Sequence, residues 1–244
     1  MARGRKRTKK GRDKAAPAAG GLTLRCILHW LRRGALGLVA LVLFLILLFG
    51  IVNPPITPYM AAESWRRGAI SRDWQPIGRI APVMARAVVA AEDANFCLHW
   101  GFDLRAIRAA LDDGTGRGAS TISQQVVKNV FLWHGRSWPR KALEALMTPL
   151  VELAWSKRRI LEVYLNVAET GPGLFGVEAA ARRYFGKGAG ELTAMEAALI
   201  AAALPDPKGR NPARPSAFLR KRARAIADGA ATIRADGRSA CFEH

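Results

Sequence analysis

The chain has 244 residues, half of them apolar, with 38 Lys and Arg against 19 Asp and Glu and a formal net charge of +19. That apolar share excludes a disordered chain, and the length suits one domain with a proper core once a tail and an apolar segment are set aside. The positive surplus fits nucleic acid, anionic lipid or phosphorylated substrates, and its sign does not choose among them.

The charge is unevenly spread. Arg3, Arg5, Lys6, Arg7, Lys9, Lys10, Arg12, Lys14, Arg25, Arg32 and Arg33 crowd the first 33 residues, against a single acid, Asp13. Residues 1–20 are basic and rich in Ala, Gly and Pro, so disorder is expected there. Gly34 to Val52 then runs nineteen residues without a charge or strong polar group. At 1.5 Å per residue this nearly crosses a hydrocarbon core of about 30 Å. Asn53-Pro54-Pro55 follows, not a small-residue cleavage site, which favours an uncleaved anchor. Basic residues before the span place the N-terminus in the cytoplasm and residues 54–244 outside. A nucleic-acid arm is the rival reading of the tail.

Pro54, Pro55 and Pro58 read as a stiff linker, with Ile56, Tyr59 and Met60 expected to dip into the lipid surface. Beyond Trp74 the pattern is helical, without runs of alternating strands. Pro82 suits a first helical turn. Thr121 to Gln124 and Thr193 to Glu196 are capping boxes, and Ser156 is a candidate N-cap. Pro149 predicts a kink and Pro205 a stop. Cys26, Cys97 and Cys241 share no metal-ligand spacing. A Cys97–Cys241 bridge is open in an oxidising compartment, but two unpaired side chains are the expectation.

Five stretches could carry chemistry. Glu92-Asp93 closes an apolar helix and is followed by Phe96, His99 and Gly101. A carboxylate against apolar surface has a raised pKa and exchanges a proton near neutrality. The ordinary alternative is a solvated acidic helix end. The second stretch is Gly114 to Asn129, a glycine-rich loop leading into a capped helix. Its amides and helix dipole favour an anion, and Lys128 lies one turn beyond Gln124 on the same face. Arg140 and Glu144 are four apart, which alone would be a surface ion pair. Lys157 to Asn166 reads as an amphipathic helix with a basic start, and Gly171 to Lys187 as a glycine loop followed by a helix.

Together and in this order these stretches resemble the peptidoglycan glycosyltransferase family, whose domain also occurs in bifunctional penicillin-binding proteins. The resemblance covers about Trp74 to Pro212. Its motif EDxxFxxHxG matches Glu92 to Gly101. The pattern G-S/A-S-T-x-x-Q-Q-x-x-K-N matches Gly118 to Asn129, R-K-x-x-E matches Arg140 to Glu144, and K-x-x-I-L-E-x-Y-L-N matches Lys157 to Asn166. The family's fifth motif is only loosely echoed at Arg220 to Ile226, and Glu169 stands about where bifunctional members have Tyr. No transpeptidase domain follows, so the monofunctional class is indicated.

The resemblance implies an all-α, lysozyme-like domain at 74–230, behind a basic tail (1–33), a transmembrane helix (34–52) and a juxtamembrane linker (53–73), with a short tail (231–244). It implies polymerisation of lipid II into β-1,4-linked glycan with release of polyprenyl pyrophosphate. Glu92 matches the general base and Glu144 the second essential carboxylate. Asp93, Phe96, His99, Gly101, Ser120, Thr121, Gln124, Gln125, Lys128, Asn129, Arg140, Lys141 and Asn166 are the expected substrate-binding residues. Glu144 is the candidate ligand for a divalent cation, magnesium or manganese; no organic cofactor and no nucleic acid are expected. Lipid II, the nascent strand, the cytoplasmic membrane and cell-wall or division proteins are the expected partners. A membrane-bound lytic glycosidase, a scaffold of the wall machinery and a non-catalytic membrane protein binding anionic lipid or nucleic acid are the competing classes.

Overall fold

In the computed structural model, residues 24–112, 120–135 and 137–243 are described. The expected disorder of residues 1–20 and the loop Gly114 to Ala119 lie outside them. The chain divides into two compact units, residues 1–44 and 45–244.

Helix α1 (Leu24–Ile51) carries the apolar run and begins ten residues before Gly34. Its 28 residues make it long and apolar enough to cross a membrane, and its side chains are exposed along most of its length.

The second unit is mainly helical. Helix α2 (Pro58–Arg67) starts where the Thr57 side chain accepts from the Met60 amide, with Pro58 in the first turn, where its missing N–H costs nothing. The segment expected to be a bare linker therefore holds a helix packed on the domain. Tyr59 and Met60 are buried in it instead of entering lipid, and of the three residues expected there only Ile56 is exposed.

Strand β1 (Ser71–Arg72) is followed by α3 (Pro82–Glu92), α4 (Leu104–Asp112), α5 (Ile122–Phe131) and α6 (Trp138–Ala154). Then come α7 (Lys157–Val167), β2 (Glu169–Gly171), β3 (Leu174–Phe175), α8 (Val177–Phe185), α9 (Ala194–Ala203), α10 (Ala217–Ala235) and α11 (Ala240–Glu243). The strands form a small sheet in the order β1-β3-β2, with β1 parallel and β2 antiparallel to β3. Strands of two or three residues are too short to show alternation, which is why they escape a reading by periodicity. Gly176, at φ +84°, comes so close to α7 that a Cβ would lie 3.0 Å from the Asn166 carbonyl oxygen.

Two packed groups of helices make the core. α9 is apolar all round and buried from Ala197 to Ala203 against α3 and α10. Small side chains on α3 let these helices approach: a Cβ at Gly229 would touch that of Ala90 at 3.4 Å. The second group is α5 against α6 and α7, with α2 laid on α5.

The chain's end is not a loose tail. α10 continues to Ala235, Phe242 of α11 is buried, and Cys97 and Cys241 are joined as a disulfide with their Cα atoms 5.7 Å apart. The expectation of two unpaired cysteines is thus corrected. The partners are 144 residues apart and the packing of α11 brings them together.

Candidate active site

α3 delivers Glu92 at its last position, and the turn after it is tied down by Asp93. One Asp93 oxygen meets His99 Nε2 at 2.8 Å, and the other accepts the Ile122 amide at 2.9 Å. A carboxylate at the N-terminus of α5 satisfies a free amide and complements the helix dipole. Thr121 caps the same end through the expected capping box with Gln124, and its hydroxyl donates to the Gly101 carbonyl at 2.7 Å. Gly101 sits at φ +86°, and a Cβ there would lie 2.7 Å from Thr148 Cγ2, so no other residue fits without strain.

Glu92 is half-buried as a residue, but its carboxyl is enclosed. Gln125 Nε2 donates to it at 2.9 Å, and Gln125 Oε1 accepts from the Tyr164 hydroxyl at 3.3 Å. Burial pushes the carboxyl above the ordinary carboxylate range, while Gln125, Arg222 and Lys128 pull it back. Burial also holds Tyr164 protonated as a donor.

The cations gather around a second carboxylate. Glu144 is only 3% exposed; Arg140 Nη1 reaches one of its oxygens at 2.7 Å and Lys141 Nζ takes the other. Arg140 Nε also donates to the Gly135 carbonyl, and Lys141 to the Ser120 hydroxyl at 3.3 Å. Lys128 feels both Glu144 and Glu92, but burial dominates and lowers its pKa. His134 is pushed down to about 4 by burial and by Lys128, Arg140 and Lys208, so it is neutral at pH 7 and donates Nε2–H to Asn129 Oδ1.

Two cavities flank the Glu92–Gln125 hydrogen bond, Glu92 lining one and Gln125 the other. One of about 270 Å³ is lined by Glu92, Asp93, Asn95, Asp103, Ser120 and Thr121. The other, about 340 Å³, is lined by residues including Gln125, Lys128, Asn129, Tyr164, Glu169 and Lys208. A larger cavity of about 490 Å³, beside α3 and α11, contains none of the expected site residues.

The expected residues divide by what they touch. Glu92, Asp93, Ser120, Thr121, Gln125, Lys128 and Asn129 line the two cavities, and Arg140, Lys141 and Glu144 form an ion cluster whose charges act on Lys128. Phe96 is fully buried beneath the Lys157 ammonium, 4.5 Å from the ring centre. Asn166 is also buried, bonded to the backbone of Gln75 and Glu162. Gly101, Gln124 and His99 hold the turn. In this arrangement Phe96, Asn166 and Gln124 are buried and His99 pairs with Asp93, while the His99 Nδ1 atom is buried without a partner among the described residues.

Arg222 of α10 was left out of the expected set. Its charge acts on Glu92, and its Nε is buried with no partner among the described residues. The signal for it was the loose fifth motif at Arg220 to Ile226. Tyr164, Glu169, His134 and Lys208 line the cleft from separate elements and carried no joint signal.

Among the described residues no group of three or more His, Cys, Asp and Glu could hold a metal, and both Glu144 oxygens are taken by cations.

Comparison with known proteins gives the family. The family model described as Transglycosylase matches residues 60–231. A biosynthetic peptidoglycan transglycosylase of Jannaschia sp. (strain CCS1) is 58% identical over 237 residues, which is 97% of this chain and 98% of that protein. Proteins of the same name from Stutzerimonas stutzeri and Rhodospirillum centenum are each 50% identical, covering 82% and 87% of this chain and 87% and 95% of their own lengths. With the family model spanning well over half of its length and such relatives matched nearly end to end, this chain belongs to the transglycosylase family.

Proposed function

We propose that the protein is a membrane-anchored peptidoglycan glycosyltransferase that joins lipid-linked disaccharide units into β-1,4-linked glycan on the outer side of the cytoplasmic membrane. The observation that carries this reading is one enclosed carboxylate, Glu92, hydrogen-bonded to Gln125, with Lys128 beside it under the charges of both Glu92 and the Arg140–Lys141–Glu144 cluster.

The chemistry follows from that arrangement. The 4-hydroxyl of the acceptor, lipid II, is a weak nucleophile, and Glu92 takes its proton as the new bond forms at the donor's anomeric carbon. A carboxyl held above its ordinary pKa is a better base for this purpose. The bond from that carbon to the lipid pyrophosphate breaks on the opposite face, so the α-linked phosphate becomes a β-glycosidic bond. Charge develops on the leaving pyrophosphate, where Lys128, Arg140 and Lys141 stand preorganised. Glu144 keeps Arg140 and Lys141 in place. Asp93, His99, Thr121 and Gly101 hold Glu92 and the start of α5 in register. The Arg222 guanidinium adds positive charge beside the base.

The membrane setting has three supports. Basic residues cluster before α1, which by the positive-inside rule leaves the catalytic unit outside. The Cys97–Cys241 bridge suits an oxidising compartment. Leu143, Leu146, Leu150 and Leu153 leave an exposed apolar stripe on α6, suited to a bilayer surface where both substrates are anchored.

The test is incubation of the purified full chain with lipid II, followed by separation of products by size. Polymer supports the proposal. Shortening of preformed glycan points to a lytic glycosidase, and the absence of either reaction to a scaffold.

A further inference from the structure

The segment after α10 touches the catalytic turn at three points and is held besides by Arg86 of α3 and Arg158 of α7. Arg238, braced by Asp236 at 2.8 Å, donates to the Ala94 carbonyl at 3.0 Å. Cys241 is bonded to Cys97. The Phe242 ring is buried against Phe96, with ring centres 6.4 Å apart. Glu243 pairs with Arg86, and Arg158 fixes the Phe242 carbonyl at 2.8 Å. Residues 86, 94, 96 and 97 flank Glu92 on both sides. The family model ends at residue 231, so these contacts come from chain beyond the matched domain.

From this geometry we infer that Asp236 to Glu243 is a clamp that positions Glu92, and that the Cys97–Cys241 disulfide makes the clamp, and with it the catalytic rate, dependent on an oxidising environment. The inference rests on the reading of Glu92 as the base of polymerisation.

The turn needs such a device. Helical hydrogen bonding ends at Asp93, which caps α3 at φ −162°, and only a short 3₁₀ turn at Phe96–Leu98 follows. Asp93 and His99 anchor the far side of this turn to α5. The near side, from Ala94 to Cys97, is held from α11 and the residues before it. A base displaced by about 1 Å from its reacting proton loses on the order of a hundredfold in rate. The clamp does not reach Lys128, Arg140 or Glu144, so it bears on the chemical step and not on donor capture.

The bridge opens by exchange with dithiothreitol. The S–S bond breaks, Cys97 and Cys241 each gain a proton as thiols, and the reagent closes to its cyclic disulfide, taking up the two electrons' worth of oxidation. The experiment compares oxidised enzyme, reduced enzyme, the double variant Cys97→Ser/Cys241→Ser, and Arg238→Ala with its bridge intact. Each is assayed for lipid II polymerisation across pH, with thermal melting in parallel.

Reduction and the double variant are expected to lower kcat by on the order of tenfold, leave KM within about twofold, and move the acid limb of the pH profile, with reoxidation restoring the reduced enzyme. Arg238→Ala should lower kcat in the same direction. A lower melting temperature with unchanged kcat and acid limb would show that the bridge only staples the fold, and would overturn the clamp. Should reduction unfold the protein, unchanged kcat in Arg238→Ala would overturn it equally. Absence of polymer from oxidised wild type would remove the catalytic reading, and the clamp with it; equal kcat in active oxidised and reduced enzyme removes the clamp alone.

Discussion

Replacing Glu92 by Gln removes a charge while keeping the shape and the 2.9 Å contact from Gln125 Nε2, because the new amide oxygen can accept that hydrogen bond. Two effects of opposite sign follow. Loss of a general base costs about 10²–10⁴-fold in kcat. Stability should move the other way. Burial raises the Glu92 pKa, so the folded protein favours the protonated acid. That preference helps folding below the unfolded pKa and is lost as pH rises through the folded one. Acting as a base at pH 7, the wild type carries an enclosed carboxylate at a cost, and each unit of elevation is worth about 1.4 kcal/mol. For a unit of this size that is about 3–6 °C of melting temperature per pKa unit. Glu92→Gln should melt higher than wild type at pH 7, and the gap should close near pH 4, where both side chains are neutral. Thermal denaturation at the two pH values, beside a lipid II polymerisation assay, checks both effects. The reasoning fails if the variant keeps more than about a tenth of wild-type activity, or if it melts lower at pH 7.

Three further outcomes follow from the same geometry. Lys128→Ala and Arg140→Ala should each weaken titrated binding of a phosphoglycolipid donor mimic while Glu92→Gln does not; equal affinities would mean that Arg140 serves only its ion pair with Glu144. Burial lowers the Lys128 pKa, so the alkaline limb of kcat/KM should fall below 10.5, and Lys128→Arg should move it upward; an unmoved limb would clear Lys128 of that role. Gly101→Ala must accept a left-handed backbone and a clash with Thr148, and chemical denaturation should show a loss of about 2 kcal/mol or more.

Much of the site was legible because its chemistry lies in short continuous stretches. Glu92, Lys128, Arg140 and Glu144 sit in compact motifs, and the Thr121 and Thr193 caps were readable because a capping box is local, four residues long. What escaped depends on packing between distant segments. Three prolines after α1 hid the α2 helix, although Thr57 and Pro58 are a proper helix start. Nothing near Cys241 signalled Cys97; their meeting depends on the packing of Phe242 against Phe96 and on the contacts of Arg238 and Glu243 with Ala94 and Arg86. Glu169 is similar: the Tyr59 hydroxyl donates to it from α2 and Lys208 approaches at 3.5 Å from the loop after α9. Phe96 and Asn166 show the converse, since motif membership marked them without revealing that both are buried.

The central claim is transfer of a glycosyl group from lipid pyrophosphate to a sugar hydroxyl, with Glu92 as base. The most direct measurement follows purified wild type with lipid II, counting released lipid pyrophosphate against new glycosidic bonds and reading their stereochemistry by NMR. The account predicts one pyrophosphate per bond, β-1,4 linkages throughout, and growing polymer. Release of pyrophosphate without new bonds, or linkages that retain the α configuration, would contradict it.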